Sequence, residues 1–92
     1  MALVSDRVRE RVVEQFGPSS SRMVSALERL TIEGHTDPER VHAAVSIASR
    51  GNAAMFDDAI EHASEDWRDL LDRAGLADSD WKQQIRQTFG PA

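Results

Sequence analysis

Cysteine is missing from the sequence, and with it go the disulfide, the thiolate nucleophile and every cysteine-held zinc or iron–sulfur centre. A chain with no thiols fits a reducing compartment, so a cytoplasmic location is expected. Long apolar runs are missing as well. The opening Met1-Ala2-Leu3-Val4-Ser5-Asp6 reaches charge after a short stub, well short of a signal peptide or a membrane span. No stretch alternates apolar and polar residues as a half-buried strand does, and β-branched residues do not cluster with aromatics. Glycine is scarce, five residues in all, and scattered between segments rather than gathered into a phosphate-cradling loop.

What is present is helical spacing in every segment. The 92 residues suit one domain, 1–92, and a chain of this size buries roughly two-thirds of its unfolded surface without metal or disulfide support. A net charge of -5 and a pI near 5.0 repel nucleic-acid phosphates and anionic membranes, so nucleic acid is disfavoured, no membrane is expected and basic partners are favoured.

The first helix is expected from Asp6 to Phe16, with Val8, Val12 and Phe16 on one stripe, Ser5 as cap and Gly17-Pro18 as terminator. A second begins in Ser19-Ser20-Ser21, where any of the three hydroxyls can cap. It runs through Met23, Val24, Leu27 and Leu30 until Gly34 closes it. Asp37 before Pro38 is the clearest start signal, with Thr36 and Glu39 as an alternative capping box. The third helix carries Val41, Ala44, Val45 and Ala48 on one face, with His42, Ser46 and Ser49 turned largely away. Arg50-Gly51-Asn52 reads as a stop and a new cap.

The fourth helix is the longest, from about Ala53 to Ala74, and its seam Phe56, Ile60, Ala63, Trp67, Leu70 and Ala74 continues without a break. At its full length of about 33 Å it is the expected central element. Gly75 ends it, with Leu76 folding back on Leu71. A short fifth helix, capped by Asp78 or Ser79, aligns Trp81, Ile85 and Phe89 and leaves Lys82, Gln83, Arg86 and Gln87 in water. The fold class is therefore all-α: a single compact domain of about five helices in bundle-like or orthogonal packing, with a long central fourth helix.

Three histidines are the natural first places to look for chemistry. His35 sits between Gly34 and Thr36 and reads as an exposed loop residue. Glu39 and His42 have the Glu-x-x-His spacing of carboxylate-bridged metal bundles, but the second such pair that those bundles need does not occur. Asp58, His62 and Asp66 stack at four-residue steps on the fourth helix and can face one metal ion or small ligand. Asp57, Glu61, Glu65 and Asp69 extend the same acidic character, which is also what a solvated face looks like. There is no Gly-x-Ser-x-Gly elbow and no Ser-x-x-Lys, so no catalytic residue and no cofactor is assigned and an enzyme is not expected.

The arginines of the first two helices, Arg7, Arg11 and Arg22, offer a nucleic-acid-binding alternative, although Asp6, Glu10 and Glu14 intersperse them. Trp67 fits the seam of the fourth helix. Trp81 either closes the core or stays partly exposed for a partner.

The segment Asp66-Trp67-Arg68-Asp69-Leu70-Leu71, followed by Ala74-Gly75-Leu76-Ala77 and Asp80-Trp81, resembles short uncharacterised helical proteins from bacteria, notably actinobacterial ones. Asp37-Pro38-Glu39-Arg40-Val41 and Ala43-Ala44-Val45 are similar too, so the likeness spans roughly the C-terminal two-thirds. It implies an all-helical fold and carries no functional residue across.

The leading expectation is a non-catalytic protein–protein interaction or regulatory module whose partner is another protein or its own copy. Its partner surface is drawn from Asp58, Glu61, Glu65 and Trp81. The alternatives are a nucleic-acid-binding regulator and a metal or small-ligand protein centred on Asp58, His62 and Asp66.

Overall fold

The computed structural model describes residues 2–34 and 36–91. His35 lies outside the described residues. Among these the chain forms α1 (Asp6–Phe16), a 3₁₀ turn (Gly17–Ser19), α2 (Ser20–Arg29), α3 (Pro38–Ser49), α4 (Ala53–Ala74) and α5 (Trp81–Phe89), with no strand. The architecture is all-α and closes round one core.

Several expected signals appear at their positions. Asp37 accepts from the Glu39 amide at 3.0 Å with Pro38 at the first helical position, and Asn52 accepts from the Met55 amide at 3.0 Å. Gly75 takes a left-handed conformation, φ 78°, and the Leu76 amide reaches back to the Leu71 carbonyl at 2.8 Å, closing the expected Schellman turn. Val8 and Val12 are buried, and Phe16 meets Phe56 edge-on with ring centroids 5.3 Å apart.

Other starts and stops differ. Ser5 makes no cap; its hydroxyl donates to Glu39 instead. None of the three serines caps α2, because the 3₁₀ turn runs directly into the helix and its backbone carbonyls take the first amides. α2 ends at Arg29 rather than near Gly34. Leu30 turns extended, φ -61° and ψ 130°, to bury its side chain, and the β-branched Thr31 and Ile32 follow outside any helix. No hydroxyl or carboxylate caps α5 at its first turn, where the Trp81 amide is held by the Asp78 carbonyl.

The helix buried all round is α3. Val41, Ala43, Ala44, Val45 and Ala48 are buried, and so are His42, Ser46 and Ser49, which sequence periodicity assigned to the outside. A helix enclosed on every side has no solvated face to write a polar stripe on, and small side chains let its neighbours approach closely. Two of the three polar residues are accommodated by hydrogen bonds. The Ser46 hydroxyl donates to the Gln15 side-chain oxygen at 2.8 Å, and the Ser49 hydroxyl donates to the Ser46 carbonyl at 2.7 Å.

The longest element is α4, 22 residues, and it is not straight. Asp66 has φ -156° and ψ 87°, outside helical geometry, and its carboxylate accepts from the Asp69 amide at 3.2 Å. Asp66 is thus the N-cap of a second helical limb, 67–74. The bend is sharp. Asp58 and Arg73 would stand about 22 Å apart along an unbroken helix, yet their side chains meet at 3.1 Å. The two limbs double back on each other, and α4 packs chiefly against α3.

Candidate functional site

The fold sets the acidic residues of α4 on an outer surface. Asp57, Asp58, Glu61, Glu65, Asp66 and Asp69 are all exposed, because the seam residues Phe56, Ala63 and Leu70 face α3 and the core. These carboxylates divide into two groups. Asp57 pairs with Arg22 at 2.9 Å, Asp58 with Arg73 at 3.1 Å, and Asp69 with His62 Nε2 at 2.9 Å. Among the described residues Glu61 and Glu65 make neither an ion pair nor a side-chain hydrogen bond.

The stack expected from Asp58, His62 and Asp66 forms differently. The bend turns Asp66 to its own helix as a cap and brings Asp69 and Arg73 onto His62 in its place. Arg73 Nη1 lies 3.1 Å from the Asp58 carboxylate and 3.3 Å from His62 Nδ1, so a guanidinium occupies the position a metal ion would need. Among the described residues no group of three or more histidine and acidic side chains is arranged to hold a metal ion.

The arginines of the nucleic-acid alternative are each engaged. Arg7 is shielded and forks onto Glu39, Nε to Oε2 at 2.8 Å and Nη2 to Oε1 at 2.7 Å, while its Nη1 donates to the Gly90 carbonyl at 3.1 Å. The paired hydrogen bonds hold the Glu39 carboxyl below the usual carboxylate range and push the Arg7 guanidinium above its ordinary value. Arg11 lies 3.7 Å from Glu14, and Arg22 is the partner of Asp57.

Trp81, half-buried on α5, has cations against its ring: Arg40 at 5.0 Å and Lys82 at 5.5 Å from the centroid. Arg40 also donates to the Leu76 and Ala77 carbonyls at 2.9 and 3.0 Å, so it fastens the α4–α5 connection to α3. The roles of Arg40, Asp69 and Arg73 were not legible in the sequence, since each depends on partners brought together by the bend or by long-range packing. Trp67 is half-buried beneath Arg68, 4.6 Å from its ring.

Two open surface depressions carry few ionisable groups among the described residues. One of about 530 Å³ beside the α2–α3 connection has Glu28 and Arg29 as the ionisable groups on its walls, and one of about 390 Å³ nearby has Arg29. His42 lines neither. It is fully buried, and neither ring nitrogen has a hydrogen-bond partner among the described residues. Burial pushes its pKa down, against the Leu27 carbonyl and the negative charges of Glu28, Asp37 and Glu39, which favour the protonated ring.

No protein-family model, no curated protein and no solved structure matches the chain. Among the described residues no helix is long and apolar enough to cross a membrane.

Proposed function

We propose that this chain is a non-catalytic interaction module that offers the outer surface of α4 to a basic protein. The observation that carries the reading is the contrast on that surface: Asp57 and Asp58 are paired with arginines and Asp69 is hydrogen-bonded to His62, while among the described residues Glu61 and Glu65 are exposed and have no such partner. An unpaired carboxylate on a rigid helix attracts a cationic side chain with little reorganisation, and a net charge of -5 steers such a partner toward the chain. Arg7, Arg11 and Arg22 each lie against a carboxylate, which offsets part of the positive charge that a phosphate backbone would need.

The test compares affinity capture from native lysate on the full chain and on Glu61→Lys/Glu65→Lys. Both positions are exposed and outside every ion pair described above, so the helix content of the variant should be unchanged by circular dichroism. Proteins retained by the wild-type chain should elute as salt is raised and should be lost from the variant. Equal recovery on both chains ends the proposal.

A further inference from the structure

The bend in α4 combines three properties. It is confined to one residue, Asp66, since the chain is helical immediately before and after it. No glycine or proline lies between Asn52 and Gly75, and the apolar seam Phe56, Ile60, Ala63, Trp67, Leu70 and Ala74 keeps helical register straight through it, so the sequence is as compatible with an unbroken helix as with a bent one. The elements beyond the bend are also anchored in the core: Leu70, Leu71, Leu76 and Ile85 are buried, and α5 lies against α1 and α3.

We infer that Asp66 is the hinge of a domain exchange between two copies of this chain, in which α4 straightens and residues 67–89 of each copy pack on α1 and α3 of the other. Straightening in an isolated chain would pull Leu70, Leu71, Leu76 and Ile85 out of the core and leave their groove empty. Only a second copy carries an identical groove and an identical segment to refill both, which commits the occupant to this chain itself. What holds the closed form is local to the hinge. The Asp66 carboxylate caps the second limb, and Arg73 and Asp69 clasp Asp58 and His62 across the bend. An exchanged pair remakes every buried contact, and the Asp58–Arg73 clasp between chains, and loses only the two Asp66 caps, so the balance between the two forms is set at the hinge and by protein concentration.

The absence of cysteine makes the exchange directly readable. Asp58→Cys with Arg73→Cys puts two thiols on residues that touch across the bend. A short bis-maleimide then joins them within one chain in the closed form and between two chains in the exchanged form, distinguished on a denaturing gel. In this background Asp66→Ala removes the cap and raises helix preference at the hinge. The dimerisation constant should rise about twenty-five-fold, the roughly fivefold worth of one lost cap taken twice. Light scattering should report a dimer whose cross-linked chains run at double mass, and Asp66→Asn, which retains a capping oxygen, should stay monomeric at the same concentration. Should Asp66→Ala fail to fold, the same pair in the Asp66 chain, incubated at high concentration just below its melting temperature and cooled, should yield inter-chain product that grows with concentration. A monomeric Asp66→Ala chain, a dimer cross-linked only within chains, or a concentrated chain that gives intra-chain product alone overturns the inference.

Discussion

The Arg7–Glu39 pair and the Asp58–His62–Asp69–Arg73 clasp are made of similar side chains but meet very different amounts of water. Both side chains of the first are shielded, 16% and 18% exposed, whereas in the second the Asp58 and Asp69 carboxylates are 66% and 65% exposed against 33% for Arg73 and 23% for His62. The first joins α1, α3 and the chain just beyond α5 through a two-pronged guanidinium and the Gly90 carbonyl. The second bridges the limbs of a single bent helix. Solvent screens an exposed pair and charges it the entropy of two long side chains, while a shielded, hydrogen-bonded pair leaves an uncompensated ion behind when one partner is removed. The same chemistry should therefore stabilise the fold in one place and only bias local geometry in the other.

The largest effect is expected at Glu39. Glu39→Ala leaves the partly shielded Arg7 guanidinium with the Gly90 carbonyl as its remaining acceptor, and the loss should be about 1–2 kcal/mol in urea unfolding at neutral pH. Acid should reproduce part of it. The Glu39 carboxyl titrates below its ordinary 4.5 in the folded chain, so its contribution is complete above that value and is lost as pH falls beneath it. A Glu39→Ala chain as stable as the wild type would erase the distinction between the two clusters.

His42 sharpens the comparison from the opposite side, being a buried polar group whose ring nitrogens make no hydrogen bond of good geometry among the described residues, with the Leu27 carbonyl as the nearby acceptor. An imidazole whose two nitrogens are both unsatisfied costs stability, and an apolar side chain of similar size avoids that cost. His42→Leu should therefore gain about 1 kcal/mol at pH 7. The pH slope gives an independent reading. Because burial lowers the His42 pKa below its ordinary 6.5, the unfolded chain takes up the proton first. The stability held by the neutral ring is complete above 6.5 and declines as pH drops below it. Between pH 7 and pH 5 the wild-type chain should lose stability and the Leu variant should lose less. Equal slopes would mean that His42 is not the group responsible.

These polar sites also mark where the sequence stopped being legible. Capping chemistry is local, so Asp37-Pro38, Asn52 and Gly75 announced their turns with the residues on either side. The burial of α3 was hidden because small residues such as Ala43, Ala44 and Ser46 give no sharp apolar stripe, and enclosure by α1, α4 and α5 is a property of the whole chain. The bend at Asp66 was hidden for a related reason. Aspartate is an ordinary surface residue in a helix and a good cap beside one, and the unbroken seam on both sides favoured the first reading. Of the acidic surface, the exposure of Glu61 and Glu65 was legible, while the withdrawal of Asp58 into an ion pair depended on the bend.

The smallest effect is expected at Arg73, and it decides what bends α4. Arg73→Ala removes the shared partner of Asp58 and His62, but Asp58 is already well hydrated and His62 keeps Asp69. The change in unfolding free energy should be no more than about 0.5 kcal/mol, and salt at about 0.5 M should abolish it. The Glu39→Ala loss should persist at the same salt, because shielded pairs are screened far less. If the cap at Asp66 is what ends the first limb, the variant keeps the bend, and a thiol pair at Asp58→Cys and Asp69→Cys remains close enough to cross-link within the chain. A loss at Arg73 comparable to that at Glu39, together with failure of that cross-link, would mean that the clasp makes the bend and that water exposure is a poor guide to which of the two clusters matters.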